Sequence, residues 1–349
     1  MKESNSHLAL DSTPVAVIGA GSWGTALAHH LGRHGREVRL WVYEPELLAI
    51  LCQKRENTFF LPGVKLSSHL SFFGEAAEAV RGAPVVIMAA PSHVFRQVLG
   101  LLQSAASPEV VFVSATKGIE NETLLTMEGV VREVLGPERP YAILSGPSFA
   151  REVVQNQPTV VTVASRQRSV AKLVQRLFST PTFRVYTTFD VTGVELGGAL
   201  KNIMALGAGI LEGLGLGANP RAALITRGLA EIARLGVRLG ANPMTLSGLS
   251  GLGDLVLTCT SSQSRNYQVG VQLGAGKRLP DILAEMKMVA EGVKNAAAAY
   301  FLAQKLGVEM PIVEQVYRIL YENHSPREAV RILMTRALKD EIDALAESW

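Results

Sequence analysis

The most informative segment of the sequence is Pro14-Val15-Ala16-Val17-Ile18-Gly19-Ala20-Gly21-Ser22-Trp23-Gly24. A short, β-branched apolar run leads into the pattern GxGxxG, and a helical apolar pattern through Ala26, Leu27 and Leu31 follows. That order predicts a strand, a tight turn and a helix. A second strand-like run, Glu37 to Val42, comes next. The stretch therefore predicts the first βαβ unit of a dinucleotide-binding fold.

Each glycine of this motif has a separate mechanical task. Gly19 permits the turn, Gly21 lets the backbone approach a pyrophosphate, and Gly24 lets the helix pack closely on the strand. The free N–H groups at the start of the helix would hold the phosphates. The alternative is a glycine-rich turn that binds nothing, which the strand, helix and second strand in the expected order disfavour. We expect a dinucleotide site here.

Length and composition indicate a globular protein of about two domains. The chain has 349 residues, 48% hydrophobic and 19% charged, with 34 Lys+Arg against 31 Asp+Glu and a net charge of +3. The basic residues form no dense block with interleaved aromatics, so nucleic acid is not expected as a partner. Cys52 and Cys259 are too far apart for a metal knuckle or a redox pair, and no metal site is expected. These features fit a reducing, cytoplasmic setting.

No membrane insertion is expected. The polar start, Met1 to Asp11, has only three apolar residues in a row, which is too short for a signal-peptide core, and predicts a disordered tail. The most apolar later stretch, Ala199 to Leu211, is interrupted by Lys201 and is shorter than the roughly 20 residues of a membrane helix.

The apolar runs after the first unit alternate with helical patterns. This alternation predicts an α/β fold with a Rossmann-type, doubly wound and mostly parallel sheet. Ser92 and Thr123 stand before two of the helical patterns and are expected to start helices. Beyond about Phe189 the strand-like runs stop, so we expect a dinucleotide-binding domain over 1–189 and an all-α substrate and catalytic domain over 190–349. The expected later strands are Leu70–Phe73, Pro84–Ala89, Val110–Thr116, Tyr141–Ser145, Thr159–Ala164 and Phe183–Tyr186.

Two stretches follow strands at the edge of the sheet where ligands bind in open α/β folds. Lys117 follows one strand in SATKGIE, where it would hold a phosphate or polarise a carbonyl. The next strand ends in the turn Ser145 to Ala150, whose serine hydroxyls and helix-start N–H groups suit an anion. A solvated loop lysine and an ordinary helix start are the alternatives.

Lys201 is the strongest candidate for a catalytic group. On a helix its neighbours three and four positions away are small or apolar, so it does not belong to a charged face. Burial would lower its pKa and make it a useful proton donor or acceptor. The alternative is a lysine whose stem packs while its head reaches water. The adjoining Asn202 is expected to orient Lys201 or the substrate.

Further along the chain, Asp254 follows Gly251-Leu252-Gly253. It is either a helix N-cap or the carboxylate that holds a catalytic ammonium. The polar run Ser261 to Asn266 precedes another helical pattern, and Arg265 beside hydroxyls at a helix start is suited to clamp a phosphate. A surface arginine is the alternative. The seven histidines show no ligand spacing and are expected to be structural.

Together these segments closely resemble the bacterial NAD(P)-dependent glycerol-3-phosphate dehydrogenase family. The resemblance extends from Val17 to Val293 and therefore covers both expected domains. The matching stretches are VIGAGSWGTALA, SATKGIE, LSGPSFARE, GGALKNIMALGAGI, GLSGLGDLVLTCTSSQSRNYQVG and MVAEGV.

The resemblance implies residue roles beyond those read from local pattern. It places the family's proton-transferring lysine on Lys201. The substrate positions it implies are Lys117, Gly146, Ser148, Lys201, Asp254, Ser264, Arg265 and Asn266. The cofactor positions it implies are Ser22, Trp23, Tyr43, Lys117, Ala150, Arg265, Val289 and Glu291.

The resemblance also implies an activity and a setting. Dihydroxyacetone phosphate would enter between the domains and accept a hydride from NAD(P)H at C2. Lys201, steadied by Asp254, would protonate the alkoxide, and the reverse reaction would use Lys201 as base. The family further implies a cytoplasmic enzyme, often a homodimer, that supplies glycerol 3-phosphate for phospholipid synthesis.

Two alternatives remain open at this point. One is a related two-domain dehydrogenase of a β-hydroxyacid or sugar-acid phosphate, and the other is a nucleotide-sensing regulator without turnover. The choice between NADH and NADPH is also open. Glu44, at the end of the second strand, would bind the adenosine ribose and repel a 2′-phosphate, whereas nearby arginines would attract one. Those arginines are Arg33, Arg36 and Arg55.

Overall fold

The computed structural model describes residues 13–286, 290–338 and 340–341. The chain divides into two compact units. The first unit comprises the chain up to Lys117 together with Leu125–Val194. The second comprises Gly118–Leu124 and the chain from Glu195 onward.

The first unit contains an eight-stranded sheet, as the alternating pattern predicts. Its order is β3-β2-β1-β4-β5-β6-β7-β8, and all neighbours are parallel except β6 and β7. The chain builds outward from β1 in both directions, so β1 and β4 flank a topological switch point, where ligands bind in open sheets. The strands are β1 Val15–Ile18, β2 Val38–Trp41, β3 Leu70–Phe73, β4 Val85–Met88, β5 Val111–Ser114, β6 Tyr141–Ser145, β7 Thr159–Ala164 and β8 Phe183–Thr188.

Helices cover both faces of this sheet. All four residues of β1 and of β4 are buried, which explains why these strands are continuous apolar runs without alternation. The helices of the first unit are α1 Ser22–Arg33, α2 Pro45–Lys54, α3 Ala76–Val80, α4 Phe95–Leu102, α5 Met127–Leu135, α6 Ala150–Val154 and α7 Arg168–Phe178, with a short 3₁₀ turn over Ser92–Val94.

The second unit is helical throughout its described elements. It begins in α8, Val191–Gly213, which starts in the first unit and supplies many of the buried apolar side chains of the second. The other helices are α9 Ala218–Arg238, α10 Pro243–Leu246, α11 Asp254–Thr260, α12 Arg265–Gly274, α13 Leu279–Glu285, α14 Glu291–Leu306, α15 Pro311–Tyr321 and α16 Pro326–Met334, and a π-helical turn spans Leu249–Gly253.

Glycines on α8 and α12 let the two helix backbones touch. A Cβ added at Gly209 or Gly213 would overlap the backbone of α12, and one added at Gly270 or Gly274 would overlap the backbone of α8. Each pair is spaced by four residues and therefore lies on one face of its helix. Larger side chains at these positions would hold the helices apart.

Two details differ from the sequence-based expectations. The sequence places the division at residue 189, whereas the two compact units divide after Val194, and Gly118–Leu124 belongs to the second unit. Thr123 does not start α5, because the cap position is Thr126 and the Thr123 hydroxyl bonds instead to the Glu120 carboxylate.

One helix among the described residues, α8, has the length and hydropathy of a membrane span, but all of that apolar window is buried inside the fold. The expected stretch from Ala199 to Leu211 is the middle of this longer helix.

Candidate active site

The turn between β1 and α1 has the geometry that its three glycines predict. Gly19 has a φ of +118°, and a Cβ there would lie 3.0 Å from the backbone of Ala89. A Cβ on Gly24 would overlap the Gly19 carbonyl oxygen. A Cβ on Gly21 would meet no heavy atom of the described residues within 4 Å. Gly19 and Gly24 are therefore required by the protein's own packing, and Gly21 leaves open space at the start of α1.

A buried asparagine that no local sequence pattern predicts stabilises this turn. Asn57 is fully buried, and its side-chain amide donates to the Ala20 carbonyl at 2.7 Å and to the Thr25 hydroxyl at 2.8 Å. Its side-chain oxygen accepts from the N–H of Phe60 at 2.9 Å. Ser22 donates its hydroxyl to the Phe60 carbonyl at 2.8 Å. The loop after α2 is thus tied to the glycine turn.

The predicted cofactor residues at the end of β2 lie near the surface. Tyr43 is 76% exposed, and Glu44 is the residue before the first turn of α2, with no side-chain capping bond among the described residues. Two of the arginines near Glu44 in sequence are engaged elsewhere. Arg33 donates to the Val154 carbonyl, and Arg55 donates to the carbonyls of Ser67 and Leu70.

Lys117, Gly146 and Ser148 come together after β5 and β6. The Lys117 ammonium donates to the Gly146 carbonyl at 3.2 Å, and the Ser148 hydroxyl donates to the same oxygen at 2.9 Å. Gly146 has a φ of +143°, and a Cβ there would lie 2.9 Å from Val161 Cα, so only glycine fits. Ala150 is the first residue of α6. The cap position of α6 is Phe149, so Pro147 lies in the turn before this helix.

Lys201 is buried and paired in the second unit, as its apolar neighbours on α8 predict. It is 7% exposed, and its ammonium donates to a carboxylate oxygen of Asp254, which is 1% exposed. It also donates to the Thr258 hydroxyl at 2.8 Å, and that hydroxyl donates to the Asp254 carbonyl at 2.7 Å. A buried charge pair needs such extra hydrogen bonds to offset desolvation. Asp254 therefore serves as the partner of the ammonium.

The alternative use of Asp254 as a helix cap is not what the structure shows. Asp254 is the first residue of α11, Gly253 holds the cap position, and the carboxylate points to Lys201. The buried thiol of Cys259 lies close enough to this pair to interact electrostatically with both Lys201 and Asp254. Burial raises the pKa of Cys259 to about 12, so this thiol stays protonated.

A second polar cluster links three helices beside Lys201. The Asn266 side-chain amide donates to the Asn202 side-chain oxygen at 3.0 Å, and the Asn266 oxygen accepts from the Gly292 N–H at 2.9 Å. A Cβ on Gly292 would lie 2.6 Å from the Asn202 carbonyl oxygen, so glycine is needed for this approach. Asn202 therefore orients Asn266 on α12, a partner that its position in the sequence does not predict.

The expected phosphate clamp lies at the start of α12. Ser264 is the N-cap, and its hydroxyl accepts from the Tyr267 N–H at 3.2 Å. Arg265 reaches the surface, and the Glu291 carboxylate lies close enough to act on its guanidinium charge. Glu291 is the first residue of α14. The predicted cofactor residue Val289 lies outside the described residues.

Two polar side chains of these clusters, those of Thr258 and Asn57, were not predicted from the sequence. Thr258 is four residues after Asp254 on the same helix, so the helical spacing was a usable signal. Asn57 gave no local signal, because its partners Ala20 and Thr25 are 37 and 32 residues away.

The fold and these groups define a class of protein. A parallel sheet with a glycine turn open at its switch point binds a dinucleotide, and a buried lysine–aspartate pair in a helical unit can exchange a proton. This combination is that of a two-domain, nicotinamide-dependent dehydrogenase.

Comparison with known proteins agrees with this class. The N-terminal region of NAD-dependent glycerol-3-phosphate dehydrogenase matches residues 14–171, and its C-terminal region matches residues 190–331. The glycerol-3-phosphate dehydrogenase [NAD(P)+] of Citrifermentans bemidjiense is 56% identical over 329 residues, 94% of this chain and 98% of that protein. The enzyme of that name from Geobacter sulfurreducens is 56% identical over 332 residues, 95% of this chain and 99% of that protein.

A solved structure gives the same result. The crystal structure of glycerol-3-phosphate dehydrogenase from Coxiella burnetii superposes with a TM-score of 0.90 at 40% sequence identity, covering 93% of this chain and 99% of that one. The chain belongs to the NAD-dependent glycerol-3-phosphate dehydrogenase family. It is an oxidoreductase that uses NAD(P)H, and the expected family, fold class, enzyme class and cofactor are confirmed. The β-hydroxyacid alternative is not favoured.

Proposed function

We propose that the chain reduces dihydroxyacetone phosphate to sn-glycerol 3-phosphate with NAD(P)H, reversibly, and that Lys201 transfers the proton. The observation that carries this proposal is the buried ammonium of Lys201, held by Asp254 and Thr258 in the helical unit. Burying a charged lysine costs desolvation energy, which a carboxylate partner offsets only in part. Buried ionisable groups of this kind are found most often at functional sites.

The residues of the first unit fit a dinucleotide. Gly21 leaves room at the start of α1, and this N-cap residue has no side chain that would cap the helix. The Trp23 indole N–H is buried and has no hydrogen-bond partner among the described residues. Gly19, Gly21, Ser22, Trp23 and Gly24 would hold the pyrophosphate region. Further cofactor contacts are assigned to Tyr43, Glu44, Lys117, Ala150, Arg265, Val289 and Glu291.

The substrate phosphate is assigned to the start of α12. Arg265 supplies a guanidinium that matches phosphate geometry, and the side-chain amide of Asn266 is held in place by Asn202. Ser264 ends the loop before this helix and fixes where α12 begins. Lys117, Gly146 and Ser148 are assigned to the same substrate. The hydrogen bond to the Gly146 carbonyl already orients the Lys117 ammonium.

The proton step follows from the pairing of Lys201. Bound NAD(P)H supplies the hydride that reduces C2 of the ketone. As negative charge develops on the C2 oxygen, the Lys201 ammonium stabilises it and then donates a proton from Nζ to that oxygen. Asp254 keeps the lysine charged before the step, because an adjacent carboxylate favours the ammonium form. In the oxidative direction the neutral Lys201 amine accepts the proton.

The test is the oxidation of NADH and NADPH, followed by absorbance at saturating cofactor and limiting enzyme. Dihydroxyacetone phosphate should be reduced, dihydroxyacetone should be a much poorer substrate because it lacks the phosphate, and a β-ketoacid should not react. Turnover of the β-ketoacid with none of the phosphorylated ketone would overturn the proposal.

The setting is proposed on the family resemblance and on composition. We assign the enzyme to the cytoplasm, as a homodimer without membrane insertion, where it supplies glycerol 3-phosphate for phospholipid synthesis. Its mass by light scattering and its partition between soluble and membrane fractions test these points. A monomer or a membrane-bound enzyme would contradict them.

A further inference from the structure

A glycine on α8 lies one helical turn before the proposed catalytic lysine. Gly197 and Lys201 are four residues apart, so both lie on one face of the helix. Facing this side of α8 is the π-helical turn Leu249–Gly253, which runs directly into α11. Ser250 and Asp254 are also four residues apart on that segment. The two elements therefore meet at Gly197 with Ser250 and again at Lys201 with Asp254.

The first of these meeting points is a backbone contact that only glycine allows. A Cβ on Gly197 would lie 2.5 Å from the Ser250 carbonyl oxygen and 3.1 Å from its carbonyl carbon. A backbone carbonyl cannot rotate away as the end of a flexible side chain can. Ser250 is 1% exposed and is held from behind, because Gly251 packs against the Leu246 backbone so closely that a Cβ there would overlap it.

From this geometry we propose that Gly197 is a positioning residue, which sets the separation of Lys201 and Asp254 by fixing how closely the π-helical turn approaches α8. A methyl group at position 197 would push Ser250 outward by several tenths of an ångström or more. The displacement passes into α11, since the π-helical turn and α11 are continuous. Asp254 would then move away from the ammonium. The inference rests on the proposed role of Lys201.

The test compares Gly197→Ala with Gly207→Ala on the same helix. Both changes add a methyl group and the same gain in helix propensity. At Gly207 the added Cβ would meet the end of the flexible Leu224 side chain at 2.9 Å, which can move aside. We expect Gly207→Ala to keep the wild-type kcat. We expect Gly197→Ala to lower kcat by roughly ten- to a hundred-fold, because a misplacement of about 1 Å can cost about a hundred-fold in rate.

A pH profile separates positioning from general damage. If Asp254 has moved away from Lys201, the ammonium loses its favourable charge, and the loss of ketone reduction with rising pH should begin at a lower pH than in the wild type. The KM for the cofactor should not change. A Gly197→Ala enzyme with the wild-type pH profile, or with a kcat equal to that of Gly207→Ala, would overturn the inference.

A second variant covers the case in which Gly197→Ala does not fold. Asp254→Glu lengthens the carboxylate by one methylene. If the Gly197 contact fixes the distance between α8 and α11, the longer side chain of Asp254→Glu does not fit beside Lys201 and kcat falls. An unchanged kcat would show that this distance adjusts freely. In the double variant Gly197→Ala/Asp254→Glu the two changes should compensate in part. A Lys201→Ala enzyme that kept wild-type turnover would instead remove the proposed function itself.

Discussion

The glycine turn of the first unit and the lysine–aspartate pair of the second differ in how their parts are connected. The groups at the turn lie within six consecutive residues, from Gly19 to Gly24. Lys201 and Asp254 are 53 residues apart and meet only because α11 packs against α8. A binding surface made from one turn and helix start can be encoded locally, whereas a proton-transfer pair requires that two helices be placed to within a fraction of an ångström.

Removing the lysine should have the largest effect and should separate the two regions. Lys201→Ala removes the proton donor, and general acid catalysis typically contributes about 10²–10⁴-fold to the rate. Turnover should fall by that factor while NADH binding, which depends on the first unit, stays close to wild type. Fluorescence titration with NADH and steady-state rates check both points. Retention of most of the activity would contradict the assignment.

The same change should also weaken the second unit. Asp254 would be left buried without its cation, and breaking a buried pair from one side costs about 3–5 kcal/mol. A Lys201→Ala/Asp254→Asn double variant should recover part of that stability without recovering turnover. Urea unfolding of the two variants measures the difference.

The two units should respond to pH in opposite directions. Burial lowers the pKa of His29 and of His30 from 6.5 to about 4, so the folded first unit resists protonation and loses stability as pH falls from 6.5 towards 4. When the pH has fallen below the folded-state pKa, the free energy of unfolding has decreased by on the order of 3 kcal/mol for each histidine. Burial raises the pKa of Glu231 in α9 from 4.5 to about 7, so the second unit loses stability as pH rises from 4.5 through 7.

Hydrogen exchange distinguishes these two responses within one protein. After correction for the intrinsic pH dependence, amides of α1 should exchange faster at pH 5 than at pH 7. Amides at the start of α15, where Ile312 and Val313 donate to the Glu231 carboxyl, should show the reverse. Parallel changes in both regions would contradict these pKa shifts.

Removing the guanidinium at the start of α12 should weaken substrate binding more than chemistry. Arg265→Ala loses a hydrogen bond to a charged group, which contributes about 1.5–3 kcal/mol, so KM for the phosphorylated ketone should rise roughly ten- to a hundred-fold. Arg265→Lys keeps the charge and should be impaired less. Since Arg265 is also assigned to the cofactor, the KM for NADH must be measured with it. An unchanged KM for the ketone would place the phosphate elsewhere.

Within the glycine turn, two substitutions should fail for different reasons. Gly21→Ala meets no described neighbour within 4 Å, so its stability should match wild type, but the methyl group would occupy the approach of the pyrophosphate and raise the KM for NADH. Gly24→Ala would collide with the Gly19 carbonyl and should lower the melting temperature. A Gly21→Ala enzyme with normal NADH binding would show that the pyrophosphate does not approach there.

The smallest expected effect concerns the choice of cofactor. Glu44→Ser removes a carboxylate that would repel a 2′-phosphate, so kcat/KM for NADPH should rise several-fold relative to NADH, with both cofactors active in the wild type. The neighbouring exposed Glu46 provides a control, and Glu46→Ser should leave the ratio unchanged. An unaltered ratio in Glu44→Ser would show that Glu44 does not contact the ribose.

Much of the first unit was determined by the sequence alone. All eight strands were predicted. Buried parallel strands such as β1 and β4 are continuous apolar runs bounded by turn residues and therefore leave a clear local pattern, whereas β3 and β8 are partly exposed. The separate roles of the three glycines in this turn could also be predicted, since they follow from steric rules within one short segment. The burial of Lys201 was predicted for a similar reason, because its neighbours on α8 are small or apolar.

Which distant groups meet depends on how the helices and loops pack, and no local pattern predicts it. In the folded protein Asp254 pairs with Lys201 and does not cap a helix. Asn57 bonds to the glycine turn, and Asn202 bonds to Asn266 rather than to Lys201. Arg33 and Arg55 bind backbone carbonyls. Local pattern reports which face of a helix or strand is buried. The partner across a helix contact depends on how closely two backbones approach, and glycines such as Gly197 and Gly209 acquire that meaning only in the folded protein.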